Sequence, residues 1–131
     1  MIGLDANILI RFLVQDDPVQ SPVATRLIER RLSEDNPGFV TMVAMAEAAW
    51  VLERTYGFSD ADIAAAIERM LQIDVLAIEN EPDVFAAMVE LAEGRGSFAD
   101  ALISALGARA GCSRTLTFDR KALRLPGFEL P

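Results

Sequence analysis

The sequence contains no histidine, one cysteine (Cys112) and one lysine (Lys121) among its 131 residues. Without histidine, the chain lacks the commonest general acid–base group and the imidazole ligand of zinc. Nucleophilic catalysis of the Ser-His or Cys-His type is excluded for the same reason. Any chemistry must therefore rest on carboxylates, hydroxyls, arginines, Lys121 or a metal ion.

Long apolar runs and disulfide pairs are also missing. No apolar stretch approaches the roughly 20 residues of a membrane span, and a single cysteine cannot form an internal disulfide, which suits a reducing compartment. The opening residues carry no basic leader and reach an acid at Asp5, so we expect no secretory signal. The sequence thus predicts a cytoplasmic protein without a membrane segment.

The composition that is present, 52% hydrophobic, is typical of a folded globule rather than a disordered chain. Short apolar segments near residues 1–4, 39–41, 75–78 and 114–118 alternate with helical patterns, including ones from about Val43 to Arg54 and from Ser97 to about Ala110. Such alternation is typical of parallel β-α units. It predicts a single doubly wound α/β domain over residues 1–131, with helices on both faces of its sheet.

Two acids follow predicted strands directly: Asp5 follows the first strand and Asp119 follows the strand at residues 114–118. Ligands of such sheets bind beyond the carboxyl ends of the strands, so we expect both acids at one edge. The alternative is that each acid only caps the helix after it, because Asp is a favoured N-cap residue.

Two further acids lie in apolar helices. Glu47 is the only charge between Phe39 and Leu52, which predicts a partly desolvated carboxylate that needs a partner, either a metal or a distant arginine. Asp100 lies in the first turn of a mostly apolar helix, where Ser97-x-x-Asp100 is also a variant of the capping box.

If these four acids converge, their repulsion requires a cation. Two like charges 4 Å apart repel by about 4 kcal/mol at an effective dielectric constant near 20. Oxygen ligands without His or Cys select a hard ion, Mg²⁺ or Mn²⁺, rather than Zn²⁺. Mg²⁺ keeps several waters and binds phosphate oxygens, so such a site indicates phosphoryl chemistry.

Four blocks of the sequence, in order, resemble the PIN-domain nucleases and, within them, the toxins of VapBC-type toxin–antitoxin pairs. The blocks span essentially the whole chain: Gly3 to Leu13 (GLDANILIRFL), the Ala- and Met-rich helix around Glu47, Phe98 to Ile103 (FADALI), and Thr115 to Lys121 (TLTFDRK). The resemblance implies a three-layer α/β/α fold with a mainly parallel central sheet and a Mg²⁺- or Mn²⁺-dependent endoribonuclease. It also implies a metal site formed by Asp5, Glu47, Asp100 and Asp119, with Asn7 and Thr117 as supporting polar residues.

The expected reaction is attack of metal-activated water on phosphorus, leaving a 5′-phosphate and a 3′-hydroxyl. This route does not use the 2′-hydroxyl, in keeping with the missing histidines. The net charge of −8 opposes RNA binding by bulk attraction, but eleven of the twelve bases are arginines, which suit phosphate contacts. The candidate RNA contacts are four basic residues that lie near the proposed site in sequence: Arg11, Arg95, Arg120 and Lys121.

The resemblance also implies a cognate antitoxin protein that covers the active site. The helices before Gly57 and after Ser59 carry enough apolar positions to bind such a partner or to form a homodimer. Three alternatives stay open: a catalytically inert PIN-like scaffold, a PIN nuclease acting on DNA, and a phosphoacceptor receiver domain. A receiver domain needs a phosphorylatable Asp at the end of its central strand and a Lys at the end of a later strand. It is disfavoured because Glu79 follows the strand predicted at Val75–Ile78, and because the only lysine lies two residues after Asp119.

Overall fold

The computed structural model describes residues 1–131 and contains six α-helices and five short strands. The strands are β1 (Ile2–Gly3), β2 (Gly38–Val40), β3 (Leu76–Ile78), β4 (Thr115–Leu116) and β5 (Phe128–Glu129). The helices are α1 (Ala6–Val14), α2 (Gln20–Arg26), α3 (Met42–Arg54), α4 (Asp60–Leu71), α5 (Glu81–Ala92) and α6 (Phe98–Arg109). A π-helical turn, Leu27–Arg31, continues α2, and a 3₁₀ turn, Ala122–Arg124, precedes β5.

All strand pairs are parallel, as predicted, but they form two sheets. The first has the order β1-β2-β3, with Gly3 beside Phe39 and Phe39 beside Ala77. The second contains only β4 and β5, with Thr115 beside Phe128. The α/β class is confirmed.

The strand expected over residues 114–118 is shorter than predicted and belongs to the second sheet. Its hydrogen bonds run to the chain after it, where the N–H groups of Thr115 and Thr117 donate to the carbonyls of Gly127 and Glu129. The expectation that Asp5 and Asp119 lie at one edge of one sheet is therefore wrong, because β1 and β4 are not in the same sheet.

Side-chain caps fix where four of the helices begin. The carboxylate of Asp5 accepts a 2.7 Å hydrogen bond from the N–H of Ala6 at the start of α1. Hydroxyls do the same for α3, α4 and α6, where Thr41, Ser59 and Ser97 each accept from the N–H three residues later. Each cap satisfies a helix N–H that has no partner within the helix.

One hydrophobic core joins all six helices and the first sheet. Its largest fully buried side chains are Leu9, Val40, Met45, Leu52, Ile67, Met70 and Val84. None of the helices combines the length and the apolar character that crossing a membrane would require.

Candidate functional site

A polar cavity of about 470 Å³ lies where the end of α3, the start of α4, the loop before α6 and the segment after β4 meet. We call it the polar pocket. No hydrophobic residue lines it; its lining residues are Glu53, Asp60, Gly94, Arg95, Gly96, Ser97, Asp100, Asp119, Lys121 and Arg124. It therefore contains two of the four predicted metal ligands, together with two acids and one arginine that the sequence did not indicate.

Asp100 lies in the first turn of α6 and is half-buried. Its backbone N–H donates to Oγ of Ser97 at 3.1 Å, so the capping alternative is correct for the backbone of this segment. Its carboxylate makes no hydrogen bond or ion pair with the protein, and both oxygens are available to a ligand.

Asp119 lies in a turn that its own side chain organises. Oδ1 accepts a 2.9 Å hydrogen bond from the N–H of Lys121, while the N–H of Asp119 donates to Oγ1 of Thr117 at 3.0 Å. Thr117 therefore holds the backbone that carries Asp119. The second carboxylate oxygen, Oδ2, accepts no bond from the protein and is available to a ligand.

Asp5 and Glu47 lie outside the lining of the polar pocket. Asp5 is exposed and caps α1 with Oδ1. Glu47 is also exposed, so the prediction that it is partly desolvated is wrong. The physical reason is that two of its apolar neighbours on α3 face solvent rather than the core, since Val43 is 77% exposed and Trp50 is 56% exposed.

No group of three or more Asp, Glu, His or Cys side chains is arranged to hold a metal ion jointly. The polar pocket nevertheless has donors of the kind that Mg²⁺ and Mn²⁺ prefer, namely carboxylate oxygens without nitrogen or sulfur. Mg²⁺ is commonly bound through one or two carboxylates, with water and phosphate completing its octahedron. Asp100 and Asp119 fit that mode of binding, and the participation of Asp5 and Glu47 stays a prediction.

Sequence reasoning missed Glu53, Asp60 and Arg124 in the pocket lining. A signal existed for Arg124, because side chains three residues apart in a 3₁₀ turn lie on the same side, and Arg124 follows Lys121 by three. For Glu53 and Asp60, the pocket depends on how α3 and α4 pack against the loop before α6. No local sequence pattern predicts that packing.

Two of the predicted RNA contacts are already bound to protein groups. Nε of Arg95 donates to Oε2 of Glu90 at 2.5 Å, and Nη1 pairs with Glu93. The hydrogen bond and the charge of Glu90 raise the pKa of Arg95 above its usual value. Arg11 donates to Gln20 and to the hydroxyl of Tyr56, far along the chain.

Asn7, predicted to support the acids, lines a different cavity, of about 240 Å³, together with Arg11. Neither residue lines the polar pocket. The structure thus separates the Asn7 side of α1 from the Asp100 and Asp119 pair.

Three basic side chains near the polar pocket have no acidic partner within 4 Å: Arg120, Lys121 and Arg124. Lys121 and Arg124 line the pocket, and Arg120 is exposed between Asp119 and Lys121. Cations and carboxylates that form no ion pairs within the protein suit a ligand that brings both a metal ion and negative phosphate groups.

A comparison with protein-family models finds a match to the PIN domain over residues 2–127. The chain belongs to the PIN domain family. PIN domains are generally nucleases, so the nuclease class that the sequence predicted is confirmed at this coarse level. No curated protein matches the chain. The family match covers both Asp100 and Asp119, and with them the polar pocket.

Proposed function

We propose that this PIN domain is a Mg²⁺- or Mn²⁺-dependent endoribonuclease, acting in the cytoplasm as the toxin of a VapBC-type toxin–antitoxin pair. The observation that carries the proposal is the polar pocket, which is lined by the carboxylates of Asp100 and Asp119 and by the cations of Lys121 and Arg124. None of these four side chains is in an ion pair. Acids alone would repel a phosphodiester, whereas this combination attracts a metal and a phosphate together.

Asp100 and Asp119 would hold the metal, with Asp5 and Glu47 as the further ligands implied by the family resemblance. A divalent cation bound there supplies acidification of water and neutralisation of phosphate charge. The chain's own part is positioning. Thr117 and the N–H of Lys121 fix Asp119, Ser97 fixes the start of α6, and the side chains of Lys121 and Arg124 bind the phosphate oxygens.

RNA is proposed as the substrate because the four acidic blocks resemble the VapC-type toxins. With no histidine in the chain, the proposed products carry 5′-phosphate and 3′-hydroxyl ends rather than 2′,3′-cyclic phosphates. The proposed protein partners are a cognate antitoxin and a second copy of the chain. The exposed apolar side chains of Val43 and Trp50 on α3 give such a partner a surface to contact.

The proposal is tested by RNA cleavage in Mg²⁺, in Mn²⁺ and in excess EDTA, with end-group analysis of the products. Asp5→Asn and Asp100→Asn remove one charge each, and Asn at position 5 still serves as an N-cap. Asp35→Asn, at an exposed site outside the pocket, is the matched control. We expect cleavage to need the metal and to fall by about 100-fold or more in Asp100→Asn.

Cleavage that survives EDTA, or that both substitutions leave unchanged, would remove the metal mechanism. Cleavage of DNA but not of RNA would make the protein a DNA-acting PIN nuclease. Nucleic-acid binding without any cleavage would make it an inert scaffold.

A further inference from the structure

Phe118 is the most exposed large apolar side chain of the protein, at 88%. It lies between Thr117, which supports Asp119, and Asp119 itself. The surrounding backbone is well fixed, because Asp119 accepts hydrogen bonds from the N–H groups of Lys121 and Ala122. A hydrogen-bonded turn therefore exposes an aromatic ring to solvent, on the residue directly before one that lines the polar pocket.

Phe118 and the basic residues that follow it in sequence suit the two parts of a nucleotide, the base and the phosphate. Lys121 and Arg124 are unpaired cations in the polar pocket, and Arg120 is exposed next to it. Proteins that bind single-stranded nucleic acid combine a cationic track for phosphates with exposed aromatic rings on which bases stack. Phe118 directly precedes Asp119, and adjacent Cα atoms are about 3.8 Å apart, which is less than the length of one nucleotide.

We propose that Phe118 is a stacking platform for an unpaired base of the RNA strand whose phosphate enters the polar pocket. This inference rests on the proposed function and adds a specificity to it. A base inside a duplex is already stacked on both faces and cannot be offered to Phe118, so the preferred substrate is single-stranded RNA.

The test compares Phe118→Ala, Phe118→Leu and Phe118→Trp in the full chain. The matched control is Phe85→Ala, since Phe85 is a second exposed phenylalanine, 52% exposed on α5, and does not line the polar pocket. Affinity for a fluorescein-labelled single-stranded RNA is measured in EDTA, and KM and kcat are measured in Mg²⁺. Loss of one stacked base predicts a Kd and a KM raised about 5- to 150-fold in the Ala variant, with kcat little changed.

The Leu variant keeps an apolar side chain but loses the ring, so its affinity should fall nearly as far as that of Phe118→Ala. The Trp variant should retain wild-type affinity. The fluorescence of an RNA that contains 2-aminopurine should be quenched on binding to the wild type but not on binding to Phe118→Ala. RNA with an abasic site at the stacked position should bind both proteins equally.

The outcomes separate the two proposals. A wild type that cleaves RNA while Phe118→Ala shows the same KM and the same quenching overturns the stacking platform alone. A wild type that neither binds nor cleaves RNA overturns the proposed function and the inference with it. Equal competition by duplex RNA also overturns the inference. So does a Phe118→Ala variant that changes only the sedimentation of the protein, because the ring would then be a contact with another protein chain.

Discussion

The backbone N–H of Lys121 donates a 2.9 Å hydrogen bond to Oδ1 of Asp119, which leaves Oδ2 without a protein partner. One residue thus has two separable roles. Its first oxygen closes the turn after β4, and its second is free for a ligand of the polar pocket. Lys121 in turn contributes its N–H to the turn and its side chain to the pocket.

Asp119→Asn should separate these roles. Asparagine keeps Oδ1 as an acceptor for the N–H of Lys121 but loses the negative charge. We expect the melting temperature to stay close to that of the wild type, while kcat/KM in Mg²⁺ falls by roughly a thousandfold, the equivalent of about 4 kcal/mol of charge interaction.

Asp119→Ala should lose the same activity and also some stability, because the N–H of Lys121 then has no acceptor in the protein. Calorimetry and cleavage kinetics on the two variants check the prediction. Full activity in Asp119→Asn would show that the charge is not required.

The salt dependence of RNA binding should distinguish the free cations from the bound ones. Each phosphate contact on a single strand contributes about 0.7 to the slope of log K against log salt. Lys121→Gln and Arg124→Gln should each lower the slope by roughly that amount.

Arg11→Gln should leave the slope unchanged, because the guanidinium of Arg11 is held by Gln20 and Tyr56 and does not line the polar pocket. Fluorescence anisotropy at several salt concentrations measures all three slopes. Equal slopes in the three variants would argue against phosphate contacts in the polar pocket.

A side chain at Gly96 should be destabilising, because a Cβ there would lie 2.5 Å from Cδ1 of Leu125, which is buried. We expect Gly96→Ala to lower the free energy of unfolding by about 1–3 kcal/mol through overpacking. It should also weaken cleavage, since Gly96 lies in the loop that lines the polar pocket.

Adding Leu125→Ala should relieve the clash, so the double variant should lose less stability than the two single variants added together. Gly3→Ala is the control, because a Cβ at Gly3 meets nothing within 4 Å. Urea unfolding of the wild type, the two single variants and the double variant measures the four free energies of unfolding. If the losses of the two single variants simply add in the double variant, the packing argument is contradicted.

Asp17 should contribute to the pH dependence of stability. Its carboxylate accepts hydrogen bonds from the N–H groups of Gln20, at 2.7 Å, and Val19, at 2.9 Å, and these hold its pKa below the ordinary value. Because the folded-state pKa is lowered, the contribution is present above the unfolded-state pKa of about 3.9 and is lost as the pH falls through the folded-state pKa.

Asp17→Asn keeps an acceptor but cannot ionise, so it should be less stable than the wild type at neutral pH and lose that deficit in acid. Urea unfolding over a pH series measures the difference. A deficit that does not change with pH would show that the charge of Asp17 contributes nothing.

Local chemistry made much of the fold predictable. The helix expected from about Val43 to Arg54 is Met42–Arg54, and the one expected from Ser97 to about Ala110 is Phe98–Arg109 with Ser97 as its cap. Apolar periodicity and capping residues act within one or two helical turns, so the sequence displays them directly.

What depended on packing between distant segments was not predictable in the same way. The strand at Thr115–Leu116 was found, but its partner, Phe128–Glu129, is chosen by the tertiary fold. Glu47 was expected to be desolvated because apolar residues surround it in sequence, yet α3 turns Val43 and Trp50 to solvent. The sequence predicts one pocket for Asp5, Glu47, Asp100 and Asp119, whereas only Asp100 and Asp119 line the polar pocket. No sequence pattern indicated Glu53 or Asp60 beside them.

The central claim is that Asp100 and Asp119 together bind a divalent cation, and Mn²⁺ titration followed by electron paramagnetic resonance measures that most directly. The wild type and the Asp35→Asn control should bind Mn²⁺ in competition with Mg²⁺, and Asp100→Asn combined with Asp119→Asn should abolish that binding while the protein stays folded. Undiminished Mn²⁺ binding by the folded double variant, or none by the wild type, would contradict the account.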